Sequence, residues 1–364
     1  MKYFQFELKK IFNNKKNRIL FIILSILIII LVLFSINLKS SNNLESLETT
    51  LNENITYTDQ TLKSFKSDEG IPADLITDAQ KTLNLYTKQS KALKNNNLTE
   101  YNKLQIEINN LSLKNGQNKK YINEQNSYIR NVINKGLSFE NSPRAQLRSL
   151  GIINEILFPL IFSSLFYLII ALLGGVSVST EFENEGIKLY KTPLFNDKNI
   201  IFYHFASNVF TLSLCYIIAL SFYIVGVGFF NGFGAINYPS GIPSIPLVEN
   251  GIVDILYLIW GFLVIMFIVS FGILLSVFLR KSLLVIGVFS IIFLGYDMLK
   301  NQEFMTSLLK YLPMSYFNPI DILTKDYLSS KYGLIIGVFY ISALIIVFLL
   351  ISIRKYRTLS FRKI

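Results

Sequence analysis

From residue 19 to residue 36 the chain carries 16 Ile, Leu, Val or Phe residues in 18 positions and no charge. Such a segment has few places to go. A helix needs about 20 apolar residues to cross the hydrocarbon core of a bilayer, and lipid obliges every backbone amide to pair within its own segment. At about −0.3 to −0.6 kcal/mol per residue, insertion of this stretch sums to roughly −5 to −10 kcal/mol. Five further segments approach or pass the same length: 156–178, 201–230, 252–279, 282–296 and 333–353. Composition agrees. Only 16% of the 364 residues are charged, where a soluble domain averages about 25%. The expectation is an all-α integral membrane protein with six transmembrane helices, the fifth one short.

Lys15, Lys16 and Arg18 precede the first segment as they would a signal peptide. The apolar run is longer than a signal core, however, and SINLKSS after it offers no Ala-x-Ala-like site, so a retained anchor is expected. The net charge of +11 is read through the positive-inside rule and not as a nucleic-acid footprint. With six spans, sixteen Lys and Arg residues fall on one side, among them Lys188, Lys191 and Lys198, Arg280 and Lys281, and the basic end from Arg354. The short loops opposite carry Lys300, Lys310, Lys325 and Lys331, with none between Asn231 and Gly251. Both termini are therefore expected in the cytoplasm. The heavy use of Lys, Asn and Ile suggests an AT-rich bacterial genome, and hence a bacterial plasma membrane.

Residues 37–151 form a long insertion between the first two spans, expected on the extracellular side. Leu44, Leu47, Leu51, Ile55, Thr58, Leu62 and Phe65 step by three or four, as do Ile76, Ala79, Leu83, Tyr86, Ser90 and Leu93; shorter stripes run Tyr101, Leu104, Ile108, Leu111 and Tyr121, Gln125, Tyr128, Val132. One narrow stripe per helix suits coiled-coil-like packing, an extracellular helical hairpin or small bundle. Its breaks have causes: Gly70 and Pro72, the Asn97–Glu100 capping pair, and Gly116. The domain reading is thus 1–18, an amphipathic cytoplasmic helix leading into the membrane; 19–36, the first span; 37–151, the extracellular helical domain; 152–353, five further spans; and 354–364, a basic cytoplasmic tail. Residues 301–331, with LPMSYFNPIDIL at their middle, read either as short helices dipping into the membrane interface or as an aromatic belt.

Catalytic equipment is missing from the sequence. There is no G-x-x-x-x-G-K-[ST] to cradle ATP phosphates, no H-E-x-x-H and no G-x-S-x-G. One histidine, His204, cannot build a multi-histidine metal site, and one cysteine, Cys215, cannot form a disulfide within the chain. His204 is read as a packed or interfacial side chain. Glu155, Asp254 and Asp297 lie near predicted span ends, and Gly174, Gly175 and Pro159 read as packing and bending devices. No bound cofactor, metal or nucleic acid is expected.

The stretch EFENEGIKLYKTPLF, from Glu181, is a charged island between two apolar runs. Glu181, Glu183 and Glu185 crowd its first half, where a helix dipole favours anions; Lys188 and Lys191 follow, and Pro193 stops it. A short amphipathic helix clamped between two spans would be a lever, since moving it moves both.

These residues resemble the permease subunits of type-2 ABC transporters, which carry after the second span an acidic stretch, Gly-Thr, an apolar stretch and a Pro. Glu181, Glu185, Gly186, Leu189 and Pro193 look like that pattern, and FELKKIFNNKKNRIL resembles the family's amphipathic N-terminal helix. Ile187 stands where the family often has Thr, and His204 falls near where a Lys often opens the third span. The resemblance implies that 181–193 is a coupling helix seated on a separate ATPase subunit through Glu181, Glu185, Gly186, Ile187, Leu189, Tyr190 and Pro193. Mg-ATP would then be handled in trans, and a second permease copy or relative would pair with this one among membrane lipids. The implied function is export of an amphipathic substrate (peptide, bacteriocin, lipid or drug). The alternatives are a sensor or mechanical relay that moves the extracellular domain, and an intramembrane enzyme with an unrecognised site.

Overall fold

The computed structural model describes residues 2–37, 43–68, 70–116, 118–137, 149–184, 197–239, 248–324, 328 and 332–358. Those residues are helical with connecting turns, and the one β-bridge among them joins Pro239 and Glu249. They fall into two compact units. The first comprises Met1–Leu33, Ile153–Gly226 and Asp254–Ile364; the second comprises Phe34–Ile152 and Val227–Val253.

The first unit starts with α1 (Lys2–Asn13) and α2 (Lys15–Asn37). Asn14 separates them and accepts from the Lys16 N–H at 3.0 Å, an N-terminal cap for α2. The last carbonyls of α1 are met by α2 side chains: Asn17 Nδ2 donates to Ile11 O at 3.1 Å and Arg18 Nε to Phe12 O at 2.7 Å. Helix ends leave such carbonyls without intrahelical donors, so these contacts hold the two helices at a fixed turn.

The second apolar run is broken. It forms α7 (Ser149–Ile161) and α8 (Ser164–Gly175), bent by 64°. A single span over 156–178 was expected, bent at Pro159. The break falls instead at Phe162–Ser163, where the Ser163 hydroxyl accepts from Phe166 N at 3.4 Å and restarts the helix. Both halves also carry π-helical turns, at Ile153–Leu157 and Ala171–Gly175. Pro159 lies near the start of the short helical turn Phe158–Ile161, where its missing N–H costs little. After α8 come α9 (Ser177–Glu183), α10 (Asp197–Asn231), α11 (Asn250–Leu279), α12 (Ser282–Leu299), four short helical turns between Glu303 and Thr324, and α13 (Gly333–Thr358). Five of the described helices are long and apolar enough to cross a membrane, or six if the bent pair is one span. The protein is a multi-pass membrane protein. The fifth expected span runs on through Asp297 to Leu299, where Asp297 pairs with Lys300 at 2.7 Å.

The core of this unit lies along α11, whose Trp260, Ile268, Val269, Ile273 and Val277 are buried. Backbones meet at one crossing. A Cβ added at Gly272 would lie 2.3 Å from Gly175 Cα, and Ser276 Oγ donates to Gly175 O at 3.1 Å. Close approach of small residues is how helices gain dispersion contacts where lipid supplies no hydrophobic drive. Trp260 Nε1 donates to Tyr316 O at 2.8 Å, tying the aromatic 301–324 stretch to α11.

The second unit holds α3 (Asn43–Ser67), α4 (Ala73–Lys94), α5 (Leu98–Lys114) and α6 (Lys119–Asn134). Each packs on the next in sequence. Leu47, Leu51, Ala92, Leu93, Tyr101 and Leu104 make one small core; Tyr128, Ile129 and Val132 meet Tyr238 in another. Polar side chains fill the seam that apolar ones do not. Gln89 reaches Gln105 at 3.0 Å, Gln105 reaches Asn109 at 3.0 Å, and Asn109 reaches Asn126 at 2.9 Å. These paired amides favour one helix register, because a slip would bury their donors unpaired; the Gln89 Oε1 at the head of the run is buried without a hydrogen bond to any described residue. Asn97 caps α5 by accepting from Glu100 N at 3.1 Å. Gly116 ends that helix at φ +81°, a conformation that a side chain disfavours.

Candidate functional site

The charged island begins on α9. Of the residues expected to contact an ATPase, Glu181 is described; Glu185, Gly186, Ile187, Leu189, Tyr190 and Pro193 lie outside the described residues. What the structure describes is the pair of stems, α9 before the island and the start of α10 after it.

Both stems are held by α1. Lys10 Nζ forms an ion pair with Glu181 Oε1, and Glu181 is nearly buried. One turn earlier on the same face, Glu7 Oε2 lies 3.3 Å from His204 Nδ1, with both side chains 3% exposed. Residues three apart share a helix face, so α1 presents an acid and a base side by side, one to each stem. Asn208 closes the arrangement, donating to Ser177 Oγ at 3.0 Å and to His204 O at 2.7 Å. The cleft among these groups is about 40 Å³ and is lined by Glu7, Lys10, Lys16, Glu181, His204 and Asn208. That is room for about a water molecule, not for a substrate.

The other side of α9 is gripped by the α11–α12 turn. Ser282 donates to the Glu183 carboxylate twice, from its backbone N at 2.7 Å and from Oγ at 2.5 Å. The Arg280 guanidinium stands 5.9 Å from the centre of the Phe182 ring. Arg280 itself sits at φ +57°, a sharp reversal that delivers Lys281 and Ser282 to α9. Glu181, Phe182 and Glu183 are therefore each engaged, by three different partners on two sides.

The Glu7 and Glu181 carboxylates are buried, and a buried carboxylate costs free energy unless a partner meets it; Lys10, which meets Glu181, is itself about a third exposed. Breaking one member strands the other. α1 therefore contacts both stems, and the α11–α12 turn contacts α9. Among the described residues, no group of three or more His, Cys, Asp or Glu could hold a metal ion.

Over residues 7–363 the chain matches the family model described as ABC-2 family transporter protein. The chain belongs to the ABC-2 transporter family. No curated protein and no solved structure matches it. An ABC-2 protein is a membrane transport component, and the family implies association with an ABC ATPase subunit.

Sequence reasoning placed Glu181 at the site but missed its partner Lys10 and the Glu7–His204 contact. The i, i+3 spacing of Glu7 and Lys10 ahead of buried Ile11 was the available signal. Among the other ionisable candidates, Glu155 is exposed, Asp297 is paired with Lys300, and Asp254 buries both carboxylate oxygens beside Asn154.

Proposed function

We propose that this ABC-2 protein is the permease subunit of a bacterial ABC exporter, and that residues 181–193 are the coupling helix on which a separate ATPase subunit pushes. Both termini and the island lie in the cytoplasm in this reading, the second unit lies outside, and two permeases pair around the pathway. Mg-ATP is bound and hydrolysed by the partner. The substrate is amphipathic: a peptide, bacteriocin, lipid or drug.

The observation that carries the reading is the double clasp of α1 on the island's two stems, Lys10 to Glu181 and Glu7 to His204. A loop with no mechanical role would have little use for a carboxylate contact buried at each end. Closing two ATPase subunits would displace the island, and the clasp would convert that into a joint tilt of α8, α10 and α1. Converting a 1:99 mixture of two conformations into 99:1 takes about 5.5 kcal/mol of differential binding, which is within reach of ATP-driven closure.

The test is purification in mild detergent followed by an ATPase assay. A P-loop-bearing chain is expected to co-purify, and Glu185→Lys or Gly186→Pro is expected to abolish permease-dependent stimulation of its ATPase while the permease still inserts. Unchanged stimulation in both variants would reject the coupling role.

A relay is the second reading, favoured by the size of the second unit, which has two cores of its own. Removing residues 43–135 separates the two: a relay loses all function, whereas an exporter retains substrate-stimulated ATPase activity.

A further inference from the structure

We propose that the cleft between α2, the bent pair α7–α8 and α10 is a binding site for one acyl chain of an anionic membrane lipid, with its phosphate at Lys16 and Arg18. The cavity measures about 390 Å³, and all its lining residues belong to the first unit. Phe21, Leu24, Ser25, Ile28 and Leu31 line it from α2 at helical spacing, so one face of that helix forms a wall. From Phe21 to Leu31 this wall runs about 15 Å at 1.5 Å per residue, the length of a substantial stretch of hydrocarbon chain. The opposite walls are apolar too, interrupted by Cys215 and Tyr216 on α10.

Positive charge gathers at one end. Arg18 lies three residues before Phe21 and seven before Ser25, on the cavity's own face of α2. It holds Phe12 O and Asn13 Oδ1, each at 2.7 Å, and Phe12 lines the cavity. Lys16 Nζ sits 3.5 Å from Leu172 O, next to Leu173, which also lines the cavity. Lys15, seven residues before Ile22, lies on the other face of α2, and α2 contains no acidic residue. A hydrocarbon-lined groove with Lys16 and Arg18 beside its end matches a phosphate with a chain attached. A free anion would leave the groove unused, and an uncharged lipid would leave the cations unused. The groove is also distinct from the bulk-lipid surface of α2, where Ile22, Ile26, Ile29 and Ile30 are about half exposed on the other side of the helix. The inference does not depend on which substrate is transported.

Cys215, the only cysteine, lines the groove and serves as the reporter. The full chain, delipidated in detergent, is labelled with a small apolar maleimide. Phosphatidylglycerol is expected to slow labelling by about fivefold or more, and phosphatidylcholine at the same mole fraction to slow it far less. The Lys16→Gln variant, which leaves the Arg18 contacts in place, is expected to lose that preference. Ala219→Trp, which fills the groove, is expected to label slowly with or without lipid. Equal protection by the two lipids, or none by either, would overturn the proposal. So would protection that follows protein concentration instead of lipid, because a second copy would then be the cover.

Discussion

At the scale of single residues, the buried carboxylates Glu7 and Glu181 link α1 to the island's stems. Glu7 and His204 are each 3% exposed, and hydrogen-bonding groups that lose a buried partner cost about 1–3 kcal/mol. Glu7→Ala should therefore lower the thermal midpoint of the purified chain by an amount equivalent to about 1–3 kcal/mol. Glu7→Gln, which keeps an acceptor near His204 Nδ1, should lose less than half as much. Differential scanning fluorimetry in detergent reads both; equal midpoints for Glu7→Ala and the unaltered chain would show that the contact holds nothing. Half of this was legible in the sequence. Glu181 stood out because a carboxylate at the mouth of an apolar run is conspicuous. Its partner Lys10, and the Glu7–His204 contact, were not legible, since ion pairing between distant segments leaves no local periodic trace. His204 was read as a packed side chain, and packed it is, though against a carboxylate.

At the scale of elements, apolar length located the helices because hydropathy is a local property: α2, α10, α11, α12 and α13 all cover the expected stretches. The break in the second run was not legible in the same way. Ser163 is one small polar residue in an apolar stretch, and whether it caps a new helix or donates back to the preceding turn is decided by packing. The Gly174–Gly175 pair was legible as a packing device, but its target was not. Gly272 lies against Gly175 so closely that a methyl group there meets backbone, which cannot move aside as a side chain can. Gly272→Ala should thus destabilise the chain by about 1–3 kcal/mol through overpacking. Gly287→Ala on α12, where an added Cβ meets nothing within 4 Å, should leave the midpoint unchanged or raise it slightly. Equal behaviour of the two variants in the same melting experiment would mean that α8 and α11 do not touch as described.

At the scale of the whole molecule, the family model spans both units, from residue 7 to residue 363, so the inserted helices are part of an ABC-2 protein and not an appendage to one. The insertion's helical stripes were readable from the sequence, while the amide ladder through Gln89, Gln105, Asn109 and Asn126 was not, because Asn and Gln there look like solvated surface. In the proposed function, α1 and the island's stems move as one body under the ATPase. A charge-reversal cycle on Lys10 and Glu181 tests it most directly, read as ATPase stimulation by the reconstituted permease. Lys10→Glu and Glu181→Lys should each lower stimulation about tenfold, and the double variant should recover most of it, since reversing both charges restores the pair. Full stimulation in both single variants, or a double variant as poor as the two losses combined, would contradict the account.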